Sequence, residues 1–227
     1  IMVQELKVET AGFPHNLFDE YGYNIKVFGQ KSWNGVATFS KCSIEDVTMG
    51  MPNYSDVNAR FLECVVDGRV RLINVYMPNG DTIDSPKFPY KMEWLAAFTK
   101  YIEQYLHSPE PVIIGGDFNI ALTDRDVWKP ANYTNIAIAA PAARAVMQSW
   151  IDAGWTDVWR TMHPDEVAYT WFGYRGGDTI GKNMGLRLDY FLANPAAMQM
   201  IKNCEIDTAP RMATKPTDHC GLMLTIK

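Results

Sequence analysis

Residues 60–76 have the sequence RFLECVVDGRVRLINVY, in which two runs rich in β-forming residues flank the dipeptide Asp67-Gly68. Tight primed turns favour Asp-Gly because their central positions need a positive φ. We therefore predict a β-hairpin, with one strand over residues 60–67 and the next over residues 69–76. Further strands and helices are predicted outward from this pair.

An amphipathic helix is predicted after the hairpin, over residues 89–106. Apolar and aromatic side chains recur there at spacings of three and four, at Trp94, Leu95, Phe98, Tyr101, Ile102 and Tyr105, and this is the helical period. A second helix is predicted over residues 141–153, since Pro141 favours a helix start and Gly154 a helix end.

The remaining apolar runs are typical of strands. The apolar run Val112-Ile113-Ile114, within residues 111–116, lies between turn residues. Such a short run is typical of a strand that is buried on both faces. Residues 186–193 and 221–226 are predicted as further strands, and residues 1–3 as the end of another. Strands outnumber helices, so we predict an α/β (α+β) architecture of two packed sheets covered by helices.

Composition limits the classes of protein to consider. The 227 residues are 47% apolar and 21% charged, which fits one globular domain over residues 1–227. No apolar stretch reaches the roughly 20 residues of a transmembrane helix, and no signal peptide is evident. The four cysteines are scattered singly, which indicates a reducing interior and no structural zinc. A net charge of −5 argues against non-specific coating of nucleic acid but allows one basic face.

Two polar pairs lie next to predicted strands, one after a strand and one before a strand. Asp117 and Asn119 are two positions apart after residues 111–116, so their side chains should emerge on one face. We interpret the glycines at 115 and 116 as room for a substrate backbone, although Gly, Asp and Asn also form ordinary turns. Asp218-His219 precedes the last predicted strand.

An imidazole needs a carboxylate to fix its tautomer before it can act in catalysis. Asp189, an acid inside the apolar run 186–190, is the candidate partner of His219, because a buried acid is costly unless it is paired. Glu5 follows the strand at residues 1–3. It is either an ordinary exposed residue or a ligand of Mg²⁺, which usually takes one or two protein carboxylates.

Several segments together resemble the exonuclease III and apurinic/apyrimidinic endonuclease family, in the family's order. They are residues 4–7 (QELK), 30–37 (QKSWNGVA), 74–80 (NVYMPNG), 116–119 (GDFN), 170–175 (TWFGYR), 186–190 (LRLDY) and 215–219 (KPTDH). The resemblance implies a DNase I-like four-layer sandwich, with two mixed β-sheets packed face to face and helices outside. It also implies a Mg²⁺-dependent DNA-repair phosphodiesterase that cleaves 5′ to abasic sites, with 3′-phosphodiesterase and 3′→5′ exonuclease activity.

The resemblance implies a role for each matching residue. Glu5 and Asp218 would bind Mg²⁺, for which Mn²⁺ could substitute. The matching catalytic residues are Tyr76, Asp117, Asn119, Asp189 and His219, and the matching substrate-binding residues are Asn79, Trp171, Leu186, Leu188, Lys7, Lys31 and Arg175. Asp117 would orient or deprotonate the attacking water, and Asn119 would donate to a phosphate oxygen. His219, held by Asp189, would stabilise the developing charge.

The residues that would contact the substrate fall into three groups, one of which includes the catalytic candidate Tyr76. Trp171, Leu186 and Leu188 match a pocket for a flipped-out abasic sugar, although leucines are core residues far more often than pocket residues. Tyr76 and Asn79 would hold the scissile phosphate. The basic residues Lys7, Lys31 and Arg175 would contact DNA phosphates, and the alternative for each is a solvated surface charge.

The implied partner is double-stranded DNA with abasic sites or blocked 3′ ends, for a monomer without membrane association in the cytoplasm (nucleoid) or nucleus. Two alternatives stay open. One is another hydrolase of the wider superfamily, such as a DNase I-like nuclease or a phospholipid or inositol-phosphate phosphatase, since these share the carboxylates and the Asp-His pair. The other is a catalytically inactive DNA-binding module.

One family element is absent from the sequence. The family ordinarily opens with a strand that carries a Trp-Asn-Val-Asn-like segment, whose Asn supports the metal site. We therefore expect either an additional strand beside residues 1–5 or a gap there. Residues 1–227 alone are expected to be poorly stable or weakly active, because an unpaired strand edge invites aggregation and supporting residues tune a metal site.

Overall fold

The computed structural model describes residues 1–175 and 177–227. Its strands are β1 (Met2–Gln4), β2 (Asn24–Phe28), β3 (Val36–Ser40), β4 (Ile44–Met49), β5 (Phe61–Val66), β6 (Val70–Tyr76), β7 (Val112–Asp117), β8 (Thr156–Asp157), β9 (Asp189–Ala193), β10 (Ile201–Asp207) and β11 (Gly221–Ile226). Its helices are α1 (Lys87–Leu106), α2 (Pro141–Ala153), α3 (Val158–Met162), α4 (Pro195–Met198) and α5 (Ala209–Met212). Short 3-10 turns are Thr10–Gly12, His15–Leu17, Asp19–Tyr21, Asp124–Asp126, Pro130–Tyr133 and Ala137–Ala139.

The predicted hairpin is confirmed and forms the middle of a six-stranded mixed sheet. Strands β5 and β6 are antiparallel, and the turn residues Asp67 and Gly68 have φ of 58° and 60°, as a primed turn requires. The sheet order is β4-β5-β6-β7-β9-β8. Helix α1 connects β6 to the parallel strand β7, so the carboxyl ends of these two strands meet at one edge of the sheet.

Alternate residues of the central strands face two different layers. On one face, Ile73 and Ile114 pack with Trp94 and Phe98 of α1 and with Trp150 of α2. On the other face, the six-stranded sheet packs against a second β layer, through Leu62 and Leu72 towards β3 and through Ile113 towards β10 and β11. The protein is thus an α/β sandwich of two face-to-face β layers with helices outside, as the sequence predicted.

The second β layer is in two antiparallel pieces, a three-stranded sheet with the order β1-β3-β2 and a two-stranded sheet of β10 and β11. Its outer surface over β2 and β3 is covered by the segment of the first three 3-10 turns. Phe13 and Phe18, which lie between these turns, pack on Phe39. Short turns therefore take the place that the prediction gave to outer helices at this position.

A groove of about 940 Å³ separates the two pieces of the second layer. Strand β1 lines one side and β11 the other, and Val70, Leu72 and Ile113 of the six-stranded sheet also line it. Within the described residues, β1 pairs only with β3 and β11 only with β10. The groove lies beside residues 1–5, where the sequence analysis placed an open strand edge.

Several element boundaries differ from the predicted ones. Helix α1 starts at Lys87, earlier than predicted, whereas α2 and β11 have the predicted bounds. Strand β9 starts at Asp189, because Leu186 forms only isolated bridges to Val127 and Trp171. No helix among the described residues has both the length and the apolar character to cross a bilayer.

A buried ion network holds the loop before β9 against the rest of the fold. Arg187 is 1% exposed and donates to Asp126 at 2.7 Å and to Asp157 at 2.8 Å. Arg160 adds a contact of 3.0 Å to Asp126. Although burial disfavours the ionised carboxylate, the Arg187 guanidinium lowers the pKa of Asp126. The network ties three chain segments together directly before the strand that carries Asp189.

We predict that Asp126→Asn destabilises the protein by about 3–5 kcal/mol, because it leaves part of the Arg187 charge buried without its partner. Asp165→Asn, at an exposed position, is the control and should change stability by less than about 0.5 kcal/mol. Chemical denaturation at pH 7 measures both. The Asp126 contribution should also shrink as the pH falls towards the pKa of an unfolded Asp, near 4, and below it, since the folded pKa is lowered. Equal stabilities of the two variants would contradict this assignment.

Candidate active site

Three catalytic candidates meet at one edge of the six-stranded sheet. Tyr76 and Asp117 are register partners at the carboxyl ends of the parallel strands β6 and β7. Asp117 is also the partner of Asp189, the first residue of the antiparallel strand β9. Because register partners lie side by side, the sheet itself brings the two carboxylates and the phenol together.

His219 lies between the two carboxylates. Its Nδ1 is 2.8 Å from Asp189 Oδ2, and its Nε2 is 4.0 Å from Asp117 Oδ2. Asp189 is held in turn by Thr170, whose Oγ1 accepts from the backbone N–H groups of Leu188 and Asp189, each at 3.0 Å. The predicted pairing of Asp189 with His219 is therefore present, with the second ring nitrogen facing Asp117.

Burial and mutual charge set the protonation of these groups. Burial raises the pKa of the Asp117 carboxyl well above its usual range, and the nearby Asp189 carboxylate adds to this effect. Burial disfavours a charged His219, but the Asp189 carboxylate, which also hydrogen-bonds the ring, acts together with the carboxylates of Asp117 and Asp218 and raises the pKa of the imidazole. The arrangement therefore favours a cationic imidazole ring that donates to Asp189. The other side of the ring faces Asp117, a carboxylate whose raised pKa makes it a stronger base.

Asn119 supports Asp117 and has no amide hydrogen free for substrate. Its backbone N–H donates to Asp117 Oδ1 at 2.8 Å. Its Nδ2 donates to Asp117 Oδ2 at 3.1 Å and to the carbonyl of Met77 at 3.0 Å. An amide has two N–H donors, so the expected donation from Asn119 to a phosphate oxygen does not fit this structure. Asn79 is exposed and donates to Asn119 Oδ1 at 2.8 Å, and its second amide hydrogen has no partner among the described residues.

Glu5 reaches the same edge from the second β layer. Tyr76 donates its hydroxyl hydrogen to Glu5 Oε1, and Lys7 Nζ lies 3.1 Å from Glu5 Oε2. Both Glu5 and Lys7 have a positive φ, 55° and 56°, which is uncommon for such residues and is a frequent feature of functional sites. The chain after β1 is thus bent so that a carboxylate and an ammonium group lie beside Tyr76.

The glycines before Asp117 have a different role from the expected one. A side chain at Gly115 would place its Cβ 2.5 Å from Met2 Cε, and one at Gly116 would place it 2.1 Å from the Val75 carbonyl oxygen and 3.1 Å from Gln4 Nε2. The space is therefore filled by the chain itself. These glycines allow β1 to approach β7, and room for a substrate backbone does not explain them.

Asp218 and Trp171 form a second polar contact next to His219. Trp171 Nε1 donates to Asp218 Oδ2 at 3.0 Å, and Trp171 forms an isolated bridge with His219. Leu186 and Leu188 are only 1% and 3% exposed and pack in an apolar cluster against Trp171. Trp171 has accessible surface, whereas the two leucines are core residues here, which is the alternative that their residue type favoured.

The three basic candidates lie at the surface, and Lys7 is next to Glu5. Lys7, Lys31 and Arg175 are exposed, and Lys7 Nζ lies 5.8 Å from the ring centroid of Trp33, which is 69% exposed. Exposed cations beside an exposed aromatic ring suit contact with a phosphate backbone.

Sequence reasoning missed three residues that support the site. Asn74, fully buried, accepts from Gln4 Nε2 at 2.7 Å and donates to the Ala37 carbonyl at 2.8 Å. Thr170 orients the start of β9, as described above. Lys91 is buried on the inner side of α1. Only Lys91 left a signal in the sequence, since its spacing from Trp94 and Phe98 places a charge on the apolar face of the helix.

Several known proteins share the family and the fold of this chain. The endonuclease/exonuclease/phosphatase family matches residues 1–219. An exodeoxyribonuclease III of Haemophilus influenzae is 29% identical over 100% of this chain and 89% of its own length. Two solved structures superpose with a TM-score of 0.94: a 3′ phosphatase, NExo, from Neisseria bound to a product DNA hairpin (35% identical, 100% of this chain, 88% of that one), and an AP endonuclease from Archaeoglobus fulgidus (33% identical, 99% and 87%).

The chain belongs to the endonuclease/exonuclease/phosphatase family. It is a hydrolase of the exonuclease III and AP endonuclease type, in agreement with the resemblance found in its sequence. Nucleases of this family depend on a metal ion.

We predict that Asp189→Asn and His219→Ala lower turnover to a similar degree, because Asp189 acts through the imidazole. The double variant should be little worse than the worse single variant. Steady-state kinetics on one DNA substrate, for all four combinations, measures this coupling. Fully multiplicative losses would show that the two residues act independently.

Proposed function

We propose that this chain is a Mg²⁺-dependent repair enzyme that hydrolyses the DNA backbone on the 5′ side of abasic sites. The observation that carries the proposal is the Asp189–His219–Asp117 arrangement, with contacts of 2.8 Å and 4.0 Å, in a DNA-repair phosphodiesterase family. It provides a cationic ring and a neighbouring carboxylate base that line the same groove, so both can act on one phosphate bound there. Duplex DNA with an abasic site is the proposed substrate.

Each residue then has a step. Asp117, whose pKa burial raises towards neutral, orients the attacking water and takes its proton, since a base works best with a pKa near the working pH. Asn119 keeps the Asp117 carboxylate in place. His219 stabilises the charge that develops on the phosphate, and Asn79 donates its free amide hydrogen to a phosphate oxygen.

The carboxylates at this edge fit a hard cation that is only partly enclosed by protein. No group of three or more His, Cys, Asp or Glu side chains in residues 1–175 and 177–227 is arranged to surround an ion. Glu5 is 43% exposed and can supply one hard oxygen ligand, with Asp218 as a further candidate in the same groove. Mg²⁺, and Mn²⁺ as a substitute, accept such sites because water and substrate phosphate complete the coordination. The cation would neutralise phosphate charge.

Selection of abasic sites is proposed to depend on Trp171. Extrusion of a nucleotide is cheapest where no base must be unstacked, and Trp171 has accessible surface directly beside His219 and Asp218. Lys7, Lys31 and Arg175 would bind the flanking phosphates. The Neisseria 3′ phosphatase, similar over the whole chain, favours removal of 3′-end blocks and 3′→5′ exonuclease activity as second activities of the same site.

We predict that an abasic duplex is cleaved to a 3′-hydroxyl and a 5′-deoxyribose phosphate in the presence of Mg²⁺. Gel mobility and mass spectrometry of the products identify both ends. A 3′-unsaturated aldehyde end would indicate lyase chemistry and would contradict the hydrolytic mechanism. Hydrolysis of intact duplex, sphingomyelin and inositol phosphates is measured in parallel, and preference for one of these substrates would indicate another hydrolase of the superfamily. Binding of abasic duplex without cleavage would indicate an inactive DNA-binding module.

We predict that Asp117→Asn and His219→Ala each lower kcat by about two orders of magnitude or more, since groups acting on the transition state contribute that much. Affinity for abasic DNA should change less. Single-turnover kinetics at saturating Mg²⁺, with filter binding of the same DNA, measures both quantities. Near-normal turnover of either variant would remove that residue from the mechanism.

A further inference from the structure

Lys91 is a buried cation that none of the steps above uses. It lies in the second turn of α1, and its relative exposure is 0%. A lysine is almost never fully buried unless its charge is compensated. No carboxylate pairs with it among the described residues.

The ammonium group is instead held by three backbone carbonyls. Lys91 Nζ donates to Asn119 O at 2.6 Å, to Pro78 O at 3.0 Å and to Asn79 O at 3.2 Å. An ammonium has three N–H donors and a neutral amine only two. The cage of carbonyls therefore matches the charged form, although burial lowers the pKa of Lys91.

The three carbonyls belong to the two loops that form the amide part of the site. Pro78 and Asn79 follow β6, and Asn119 follows β7, where its φ of 49° lies in the left-handed region. The loop after β6 also rests on the lysine stem, since a Cβ at Gly80 would lie 2.8 Å from Lys91 Cδ. The Lys91 side chain thus connects both loops to helix α1.

We infer that Lys91 is a positioning residue, which fixes the Asn79–Asn119 pair and, through Asn119, the Asp117 carboxylate. The inference deepens the proposed function and rests on it only for the turnover measurements. Asn119 makes two contacts to Asp117 and accepts one from Asn79, so a shift of its backbone would displace the base and a phosphate-binding amide together. Small displacements of a supporting group commonly cost about 10- to 100-fold in activity.

The test compares Lys91→Met and Lys91→Arg with two controls in the same helix. Lys100→Met removes an exposed lysine, and Ile102→Ala removes core packing at a position that is 1% exposed. Lys91→Met keeps the aliphatic stem but loses all hydrogen-bond donors. Lys91→Arg keeps the positive charge, but its planar guanidinium replaces the single nitrogen that donates to three carbonyls.

We expect both Lys91 variants to lower kcat on abasic duplex by about 10-fold or more, with KM changed by less than about 3-fold. In an Asn79→Ala background the loss should be clearly smaller, because the two residues act through one contact chain. Ile102→Ala should lose stability but keep its kcat, and Lys100→Met should change neither.

Hydrogen exchange on the DNA-free protein decides the inference without any activity. Residues 77–81 and 118–122 should exchange about 10-fold faster or more in both Lys91 variants than in Ile102→Ala, where destabilisation acts on the whole core. If Lys91→Met does not fold, Lys91→Arg alone decides. Native exchange of both loops in the variants that fold would overturn the positioning role. A native chain that leaves abasic duplex uncut would refute the proposed function, while the exchange result would still stand.

Discussion

The site depends on the close approach of the two β layers at Gly115 and Gly116. A Cβ at Gly115 would lie 2.5 Å from Met2 Cε of β1, and one at Gly116 would lie 2.1 Å from the Val75 carbonyl oxygen of β6 and 3.1 Å from Gln4 Nε2 of β1. A larger residue would therefore crowd the side chains of β1 and the backbone of β6. The fully buried Asn74 completes the contact, because it bonds to Gln4 and to the Ala37 carbonyl. Only with this spacing does Glu5, the residue after β1, reach the hydroxyl group of Tyr76.

Around this contact, ionisable groups are compensated before any substrate arrives. Asp189 is paired with His219, Asp126 with Arg187, and the ammonium of Lys91 with three carbonyls. Asp117 is the exception, since it is 5% exposed and faces His219 at 4.0 Å. Within residues 1–175 and 177–227, its carboxylate accepts hydrogen bonds only from Asn119. A carboxylate that is buried but incompletely compensated keeps its basicity, which is what proton transfer from water requires.

The local elements with strong sequence signals were predicted well. The hairpin of β5 and β6 follows from Asp67-Gly68, and α2 and β11 have the predicted bounds. Strands β2, β3, β4, β8 and β10 were not predicted. The pairing of Asp189 with His219 was predicted because an acid in an apolar run needs a partner. Residue types alone indicate this requirement, so it can be inferred from the sequence.

From the amino-acid sequence alone, periodicity and turn chemistry predicted two packed sheets with helices, because these signals act locally along the chain. The resemblance of its motifs to the exonuclease III and AP endonuclease family indicated the family and the candidate carboxylates and imidazole of the site. The tertiary structure alone decided that Asn119 spends both amide hydrogens inside the protein, that Gly115 and Gly116 make room for β1, and that Leu186 and Leu188 are core residues. It also placed the Lys91 ammonium group against the backbone carbonyls of Asn79 and Asn119. These features depend on contacts between residues far apart in sequence, whose distances are set only when the two β layers and α1 pack together.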